Sequence, residues 1–277
     1  MAQHEAIDGV VIRVYDTGDR DRYLSVLTAE RGRISILSKA SRSMRGQQVS
    51  VSQLYTYGNF EYYRKGSTYI LKSGSAIQPF YTLSYNIDRI NLAAYLCDVC
   101  YELTDEGEPA AGMLRLLLNS LYAISKDLYP QELIKGSFEM RAAALSGYEP
   151  NLHTCAACGK AVGDAWNVDV MNGALLCSDC LHKRSGATGY RGDYDDLREA
   201  DILCPISSAA RDALRYVVCA PIERLFAFEL KDEEDLRLFS KTAETYLLSH
   251  LGRGFDSLNF YHTMRQDSIP VKKEHDI

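Results

Sequence analysis

The sequence lacks the features that would place it in several common classes of protein. It has no run of about 18 apolar residues, the length that a membrane-spanning helix requires, so we expect no membrane contact. Its opening stretch, MAQHEAIDGVVIRVYDTGDR, lacks the basic-then-apolar pattern of a secretory signal, and we therefore expect a cytoplasmic location. The motifs of P-loop and Rossmann nucleotide sites, of H-E-x-x-H metalloproteases and of G-x-S-x-G hydrolases are also missing. Since no catalytic constellation is found, we predict a protein that is not an enzyme.

The charge of the chain is unevenly distributed. The 277 residues carry a formal net charge of −6, which argues against a uniformly basic nucleic-acid binder. Residues 31–72, however, contain many Lys and Arg side chains and only Glu61 as an acid. A basic face of this kind attracts an acidic partner while the rest of the surface repels it.

Four of the eight cysteines have the spacing of a metal site. Cys155 and Cys158 form one C-x2-C pair and Cys177 and Cys180 form the next, so that two tight turns can present four thiolates to one ion. Gly159 permits the positive φ that such a turn requires, and AWNVDVMNGALL between the pairs predicts two short strands. We predict a zinc ribbon holding one Zn²⁺. The ion is expected to be structural because four protein ligands leave no open coordination position.

Other candidates for site chemistry have simpler interpretations. His153 and His182 flank the cysteine pairs and are alternative ligands. Cys97 and Cys100 are three residues apart on the apolar face of a predicted helix, which favours core packing over a redox or second metal role. Cys204 and Cys219 are predicted to be lone buried thiols, and His250 to be a packing or capping residue.

The order of the predicted elements indicates an α+β protein of several domains. Five stretches within residues 6–73 alternate apolar and polar residues and predict five strands: AIDGVVIRVY, RYLSVLTAE, GRISILSKA, VSQLYTYGNFEYY and STYILKSG. Five short strands in about 70 residues favour an OB-fold barrel over residues 1–79, with an SH3-like barrel as the alternative. Helical periodicity follows in two parts, residues 80–151 and 183–254, with Ser207 as a predicted N-cap and Gly252 at a helix end. The zinc ribbon, residues 152–182, is predicted to be an insertion between them, and residues 255–277 a loose tail.

The basic stretch of the predicted barrel is the candidate DNA-binding surface. OB-folds hold single strands in basic grooves with stacking rings, and aromatic residues alternate with the cations here. The competing interpretation is a solvated charged loop above a barrel whose core contains half of the rings. The candidate cations are Arg31, Arg33, Lys39, Arg42, Arg45, Arg64 and Lys65, and the rings are Tyr55, Tyr57, Phe60, Tyr62, Tyr63 and Tyr69.

Barrel, helices and inserted four-cysteine ribbon, in that order, resemble the bacterial DNA repair protein family RecO. The stretches that carry the resemblance are LTAERGRISILSKASR (27–42), LTDEGEP (103–109), ALSGYEPNLHTCAACGK (144–160), LLCSDC, PISSAARDALRYV and YLLSHLGR (246–253). The likeness extends over residues 5–254. The loop KASRSMRGQQ is shorter and less basic than is usual for the family, which implies a lower DNA affinity or one shared with a partner. Some members of the family lack the zinc ligands, whereas this chain has all four.

The resemblance implies a recombination mediator without enzymatic activity. Such proteins bind single- and double-stranded DNA, anneal complementary strands and help to load the recombinase RecA, which implies association with the nucleoid. They pair with the mediator RecR and bind the acidic C-terminal tail of the single-stranded-DNA-binding protein. Arg115 and Arg141 are candidates for that tail, with ordinary surface arginines as the alternative. A nuclease-like enzyme with a zinc ribbon and a pure protein-interaction adaptor are the competing functions.

Overall fold

The computed structural model describes residues 4–39, 48–186 and 202–267. The chain forms two compact units, Met1–Leu128 with Gly254–Ile277, and Tyr129–Arg253. The helices are α1 (Gln48–Val51), α2 (Ile87–Leu103), α3 (Ala111–Lys126), α4 (Gln131–Leu145), α5 (Ser178–Gly186), α6 (Ser208–Cys219), α7 (Glu233–Leu251) and α8 (Asp256–Asp267). Within the described ranges, none of these helices has the length and apolarity needed to cross a membrane.

The N-terminal sheet contains the five predicted strands. They are β1 (His4–Thr17), β2 (Asp21–Thr28), β3 (Gly32–Ser38), β4 (Thr56–Lys65) and β5 (Thr68–Pro79). Their order is β1-β2-β3-β5-β4, and β4 also pairs with β1, so the sheet closes on itself. The fourth strand starts five residues later than predicted, because α1 precedes it and Tyr55 has a positive φ of 61° that interrupts extended backbone.

Strand alternation fills the interior of this sheet with apolar side chains. The interior cluster contains Ile7, Val11, Leu24, Val26, Ile34, Ile36, Val51, Phe60, Tyr62 and Leu71. Val10, Ile12 and Leu27 are buried as well, although they alternate with interior residues, because α2 and α3 pack on β1 and β2. The helices therefore cover the outer face of the first two strands and leave cations on β4 and β5 at the surface.

The C-terminal helix α8 belongs to the first unit. It packs on α2, where the rings of Tyr95 and Phe255 meet edge to face at 5.7 Å and the Ser257 hydroxyl donates to Asp98 Oδ2 at 2.7 Å. The loose tail predicted from residue 255 is therefore wrong for residues 255–267. Phe255, Leu258 and Tyr261 are buried at a spacing of three residues. This apolar spacing in the sequence is typical of a helix and could have predicted α8.

The second unit combines α4, α6 and α7 with a four-stranded sheet. Its strands are β6 (Asn151–Cys155), β7 (Ala165–Asp169), β8 (Ala174–Cys177) and β9 (Leu203–Ser207), in the order β6-β8-β7-β9. The predicted hairpin is β7 and β8. β9 lies beyond the predicted ribbon boundary at residue 182, yet it pairs with β7 along its whole length. It leads directly into α6, whose first turn is capped as predicted by the Ser207 hydroxyl accepting from the Ala210 N–H at 3.0 Å.

Candidate metal centre and nucleic-acid interface

Four cysteine side chains meet at the end of the second sheet. Cys155 is the last residue of β6, Cys177 is the last residue of β8 and Cys180 lies in the first turn of α5. All four sulfur atoms, including that of Cys158, lie within 4.8 Å of one another. The Sγ atoms of Cys158 and Cys177 are 3.8 Å apart. Sulfurs at about 2.3 Å from a tetrahedral zinc ion would be about 3.8 Å apart, so the cluster has the size of a zinc site.

The turn that carries the first pair is built by its backbone. The Gly159 N–H donates to the Cys155 carbonyl at 2.8 Å, and the Cys155 N–H donates to the Lys160 carbonyl at 2.8 Å. Gly159 adopts φ +72°, as its position in the motif predicted. Lys160 Nζ and Asp179 Oδ2, 3.4 Å apart, form an ion pair between the two cysteine turns.

The same backbone favours a thiolate at Cys155. Burial raises the pKa of this thiol, but N–H groups of Cys177, Ala157 and Cys158 point at the sulfur and lower its pKa to about 6. The Cys177 N–H lies 3.4 Å from this sulfur. Because a thiolate rather than a thiol binds metal, these N–H groups stabilise the form of Cys155 that a cation requires. The neighbouring sulfurs of Cys158 and Cys177 raise the pKa of Cys180, so the lowering applies to Cys155.

The cysteine turns are also tied to α6. The Trp166 indole is buried and donates to the Gly163 carbonyl at 3.1 Å and to the Ser208 hydroxyl at 3.2 Å. Arg211 lies over the Trp166 ring at 4.6 Å and donates to the Ala161 carbonyl at 2.9 Å. A metal that orders residues 155–180 would therefore also stabilise the start of α6.

The remaining cysteines and histidines do not join this cluster. In the described part of the chain, one cluster of three or more potential metal ligands is found, and it consists of the four cysteines. His153 and His182 are not members of this cluster. Cys97 and Cys100 are buried, and burial raises the pKa of both thiols, as expected for core packing. Cys219 is exposed, so the prediction of a buried thiol is wrong there.

The predicted cations of the N-terminal sheet do not share one surface. Arg64 and Lys65 are exposed at the end of β4, and Arg64 Nε donates to the Gly66 carbonyl at 2.9 Å within the β4–β5 turn. Lys39 is exposed and follows the last residue of β3, whereas Arg31 precedes the first. The strand is about 20 Å long, so the two residues lie at opposite ends of it. Arg42 and Arg45 lie outside the described residues.

Arg31 is paired within the first unit. Its NH2 group lies 2.5 Å from Glu5 Oε2, and the same carboxylate oxygen accepts from the Tyr62 hydroxyl at 3.1 Å. The N-terminal half of β1 pairs with the end of β4 at His4 and Tyr63 and with the end of β2 at Gly9 and Thr28, so the β2–β3 turn and the end of β4 lie at the same end of the sheet. Arg31 keeps 41% of its side chain exposed, so part of its charge remains accessible.

Arg33 packs against α2 rather than pointing into solvent. Its guanidinium carbon lies 3.6 Å from the centre of the Tyr101 ring, and its Nε donates to the Thr104 carbonyl at 3.1 Å. Arg13 lies 3.7 Å from the same ring centre and forms an ion pair with Asp98 at 2.6 Å. These contacts favour a packing role for Arg33, which sequence reasoning missed because Tyr101 is 68 positions away in the chain.

The candidate rings also divide into two groups. Tyr55, Phe60 and Tyr62 are buried, so half of the six belong to the core, as the competing interpretation proposed. Tyr69 packs against the interior cluster. Tyr57 and Tyr63 lie on the outer face of β4 and are partly exposed.

The two arginines proposed for an acidic tail lie in different units. Arg115 is exposed on α3. Arg141, on α4, is about half-buried, donates to the Ala220 carbonyl, and burial lowers its pKa. The structure therefore gives no single site that contains both arginines. Arg141 has a packing role at the α4–α6 contact.

Comparison with known proteins gives consistent similarities. Residues 1–80 match the family description "Recombination protein O N terminal", and residues 84–193 match "Recombination protein O C terminal". The chain is 30% identical over 257 residues to "DNA repair protein RecO" of Acetivibrio thermocellus, covering 92% of this chain and 95% of that protein. It is 26% identical over 272 residues to the protein of the same name from Listeria monocytogenes serotype 4b, covering 98% and 99% of the two chains.

Proposed function

We propose, from the premise that the chain belongs to the RecO family of DNA repair proteins, that it fulfils its role in repair and recombination as a DNA-binding mediator without enzymatic activity. In this role it binds single- and double-stranded DNA, anneals complementary strands and helps to load the recombinase. The observation that carries the DNA-binding part is the exposed pair Arg64 and Lys65 at the end of β4.

The closed order β1-β2-β3-β5-β4 supports the assignment of the sheet as an OB-fold. In such folds the β4–β5 loop is part of the binding surface, and here that loop carries Arg64 and Lys65. Lys39 adds a second positive region. Lys39 and Lys72 each follow by two residues the last paired residues of the parallel strands β3 and β5, Leu37 and Ile70, and both are exposed. Phosphates bound along these cations release counterions, so affinity is expected to fall steeply as salt rises.

The partners proposed for the chain are RecR and the acidic tail of the single-stranded-DNA-binding protein. The outer face of α3 supports the second of these, because Arg115, Tyr122 and Lys126 are exposed at positions i, i+7 and i+11 of one helix. Such a face offers positive charge and an aromatic ring to an acidic peptide. Arg141 is not retained for this contact, since its guanidinium is already engaged in the second unit.

The four cysteines are proposed to hold one structural Zn²⁺. The sulfur-only donor set, the distances between the sulfurs and the N–H groups aimed at Cys155 all fit this ion. When bound, zinc supplies folding free energy rather than chemistry, because four thiolates fill its coordination shell. A nuclease-like alternative needs clustered carboxylates for Mg²⁺, and no such group of three or more is found in the described part of the chain.

Charge reversal tests the DNA-binding proposal. The triple variant Lys39→Glu, Arg64→Glu and Lys65→Glu is expected to lose at least about tenfold in affinity for a labelled oligonucleotide in low-salt anisotropy titrations. Lys231→Glu, which reverses one exposed lysine in the second unit, is the control for a single charge reversal elsewhere and is expected to bind like the unmodified protein. Equal affinities for the triple variant and the control would remove this surface from the proposal. Loss of strand annealing together with DNA affinity would connect the surface to the mediator activity.

A further inference from the structure

We propose that Tyr63 is the ring on which an unpaired base stacks, and that it gives this surface a preference for single-stranded over double-stranded DNA. The inference rests on the proposed DNA-binding function and assigns one residue of that surface a selective role. It follows from burial, from strand alternation and from the charges beside the ring.

Burial and packing against the interior remove four of the six aromatic candidates. Phe60 and Tyr62 point into the sheet and are 0% and 1% exposed. Tyr55 is buried, and Tyr69 packs edge to face on Tyr62 with ring centres 5.3 Å apart. A base can stack only on a ring whose face is accessible. The three buried rings therefore cannot serve, and Tyr69, although partly exposed, is packed against the interior cluster rather than on the outer face.

Strand alternation brings Tyr57 and Tyr63 to the outer face of β4, but their surroundings differ. Partial burial raises the pKa of Tyr57, and the nearby carboxylates of Asp8 and Glu30 raise it further. Negative groups of this kind repel a phosphate backbone. Tyr57 is also about 20 Å along the strand from Tyr63, six residues away.

Tyr63 has both an acid and cations beside it. Glu61, two residues earlier on the same outer face, accepts from the Ser73 hydroxyl, and the exposed cations follow on the other side of the ring. Arg64 follows it directly, and Lys65 lies two residues further on the same outer face, about 7 Å away along the strand. Across the sheet its neighbours are His4 on β1 and Ile70 on β5, and the His4 ring meets it edge to face at 5.8 Å. These neighbours support one side of the ring. Lys65, on the same face, can reach a phosphate beside a stacked base, and Arg64, which leaves the strand end from the opposite face, adds positive charge at the adjacent β4–β5 turn.

This arrangement discriminates between the two forms of DNA. Bases in a duplex already stack on one another and present only their edges, whereas an unpaired base has a free face. The cations attract both forms through their phosphates and do not themselves select the single strand. Tyr63 therefore adds affinity for single strands alone.

The test compares variants on two probes, a labelled oligothymidylate and a labelled duplex of the same length, in low-salt anisotropy titrations. Tyr63→Ala is expected to lose about tenfold in affinity for the single strand and less than twofold for the duplex. Tyr63→Phe, which keeps the ring, is expected to retain the affinity for both probes. Tyr57→Ala, the matched outer-face tyrosine of the same strand, is expected to change neither. A single strand containing 2-aminopurine supplies a second readout, since stacking on Tyr63 quenches its fluorescence.

The possible failures are distinguishable. Equal losses on both probes, or no loss on either, would overturn the role of Tyr63. If Tyr63→Ala has no effect while charge reversal of Lys39, Arg64 and Lys65 weakens both probes, the stacking inference fails and the DNA-binding function stands. If the unmodified protein binds neither probe at low salt, both proposals fail.

Discussion

Gly32, the first residue of β3, packs against the backbone of Asp105 so closely that a Cβ atom on Gly32 would overlap the Asp105 carbonyl oxygen. The same Cβ would lie 2.6 Å from the Glu108 carbonyl oxygen. Around it, the Arg33 N–H donates to the Asp105 carbonyl at 3.3 Å and the Gly107 N–H donates to the Arg31 carbonyl at 3.0 Å. The segments TAERGR and LTDEGEP, two separate stretches of the family resemblance, therefore contact each other. This contact joins the sheet to its helices.

Replacing Gly32 is expected to break this contact. Gly32→Ala combines a φ of +60°, which disfavours a side chain, with a clash against two carbonyl oxygens that belong to rigid backbone. We expect the free energy of unfolding to fall by at least about 2 kcal/mol, measured by urea denaturation.

Gly18→Ala is the matched control for Gly32→Ala. Gly18 has a similar φ of +56° in the same unit, but an added Cβ there would have no atom within 4 Å. It should lose only the backbone preference, about 1 kcal/mol. Similar losses for the two variants would show that the Gly32–Asp105 contact does not limit stability.

The sequence predicted those features whose causes are local. The four cysteines were found because C-x2-C turns place two ligands within a few residues, and the strands of the first sheet were found because their burial alternates. β9 was missed because it is short and contains Pro205, and its pairing with β7 depends on residues about 38 positions away. The packing of Arg33 on Tyr101 is also a non-local contact, which a sequence pattern does not reveal. Arg33 was therefore predicted to bind DNA, whereas in the structure it packs on α2.

Removing one cysteine tests the metal centre. Cys155→Ser is expected to reduce bound zinc from about one ion per chain to none and to lower the melting temperature, because metal binding supplies folding free energy to a small sheet. Metal analysis by mass spectrometry and calorimetry check the two effects. Cys219→Ser is the control, since Cys219 is exposed and outside the cluster. A Cys155→Ser protein that kept its zinc would contradict the four-thiolate site.

A buried ion cluster at the α4–α7 contact offers a stability test in the second unit. Lys135 Nζ lies 3.0 Å from Glu139 Oε1 and 2.5 Å from Glu244 Oε2, and Lys135 and Glu139 are 1% and 0% exposed. Lys135→Met would leave the Glu139 carboxylate buried without this cation. We therefore expect a loss of about 3–5 kcal/mol in urea denaturation.

Two further variants interpret the Lys135 result. Lys241→Met, at an exposed position of α7, is expected to change stability by less than about 0.5 kcal/mol. Adding Glu139→Leu to Lys135→Met is expected to recover part of the loss, because both buried charges are then absent. A double variant that is less stable than Lys135→Met alone would show that Glu139 has a stabilising role independent of this lysine.

The ring of His250 on α7 predicts a pH dependence of stability. It stacks on Tyr148 at 4.8 Å and meets Tyr246 edge to face at 4.4 Å, and its Nε2 atom is buried without a hydrogen-bond partner among the described residues. Burial lowers the pKa of His250 from its usual 6.5, an effect that the backbone of Val170 opposes in part. As pH falls through about 6.5, the unfolded chain takes up this proton before the folded one does, so stability is lost. His250→Phe keeps the stacked ring and removes the titration, and is expected to lose less stability than the unmodified protein between about pH 7.5 and pH 5.5. Parallel pH profiles of the two unfolding free energies would mean that His250 is protonated as readily in the folded chain as in the unfolded one.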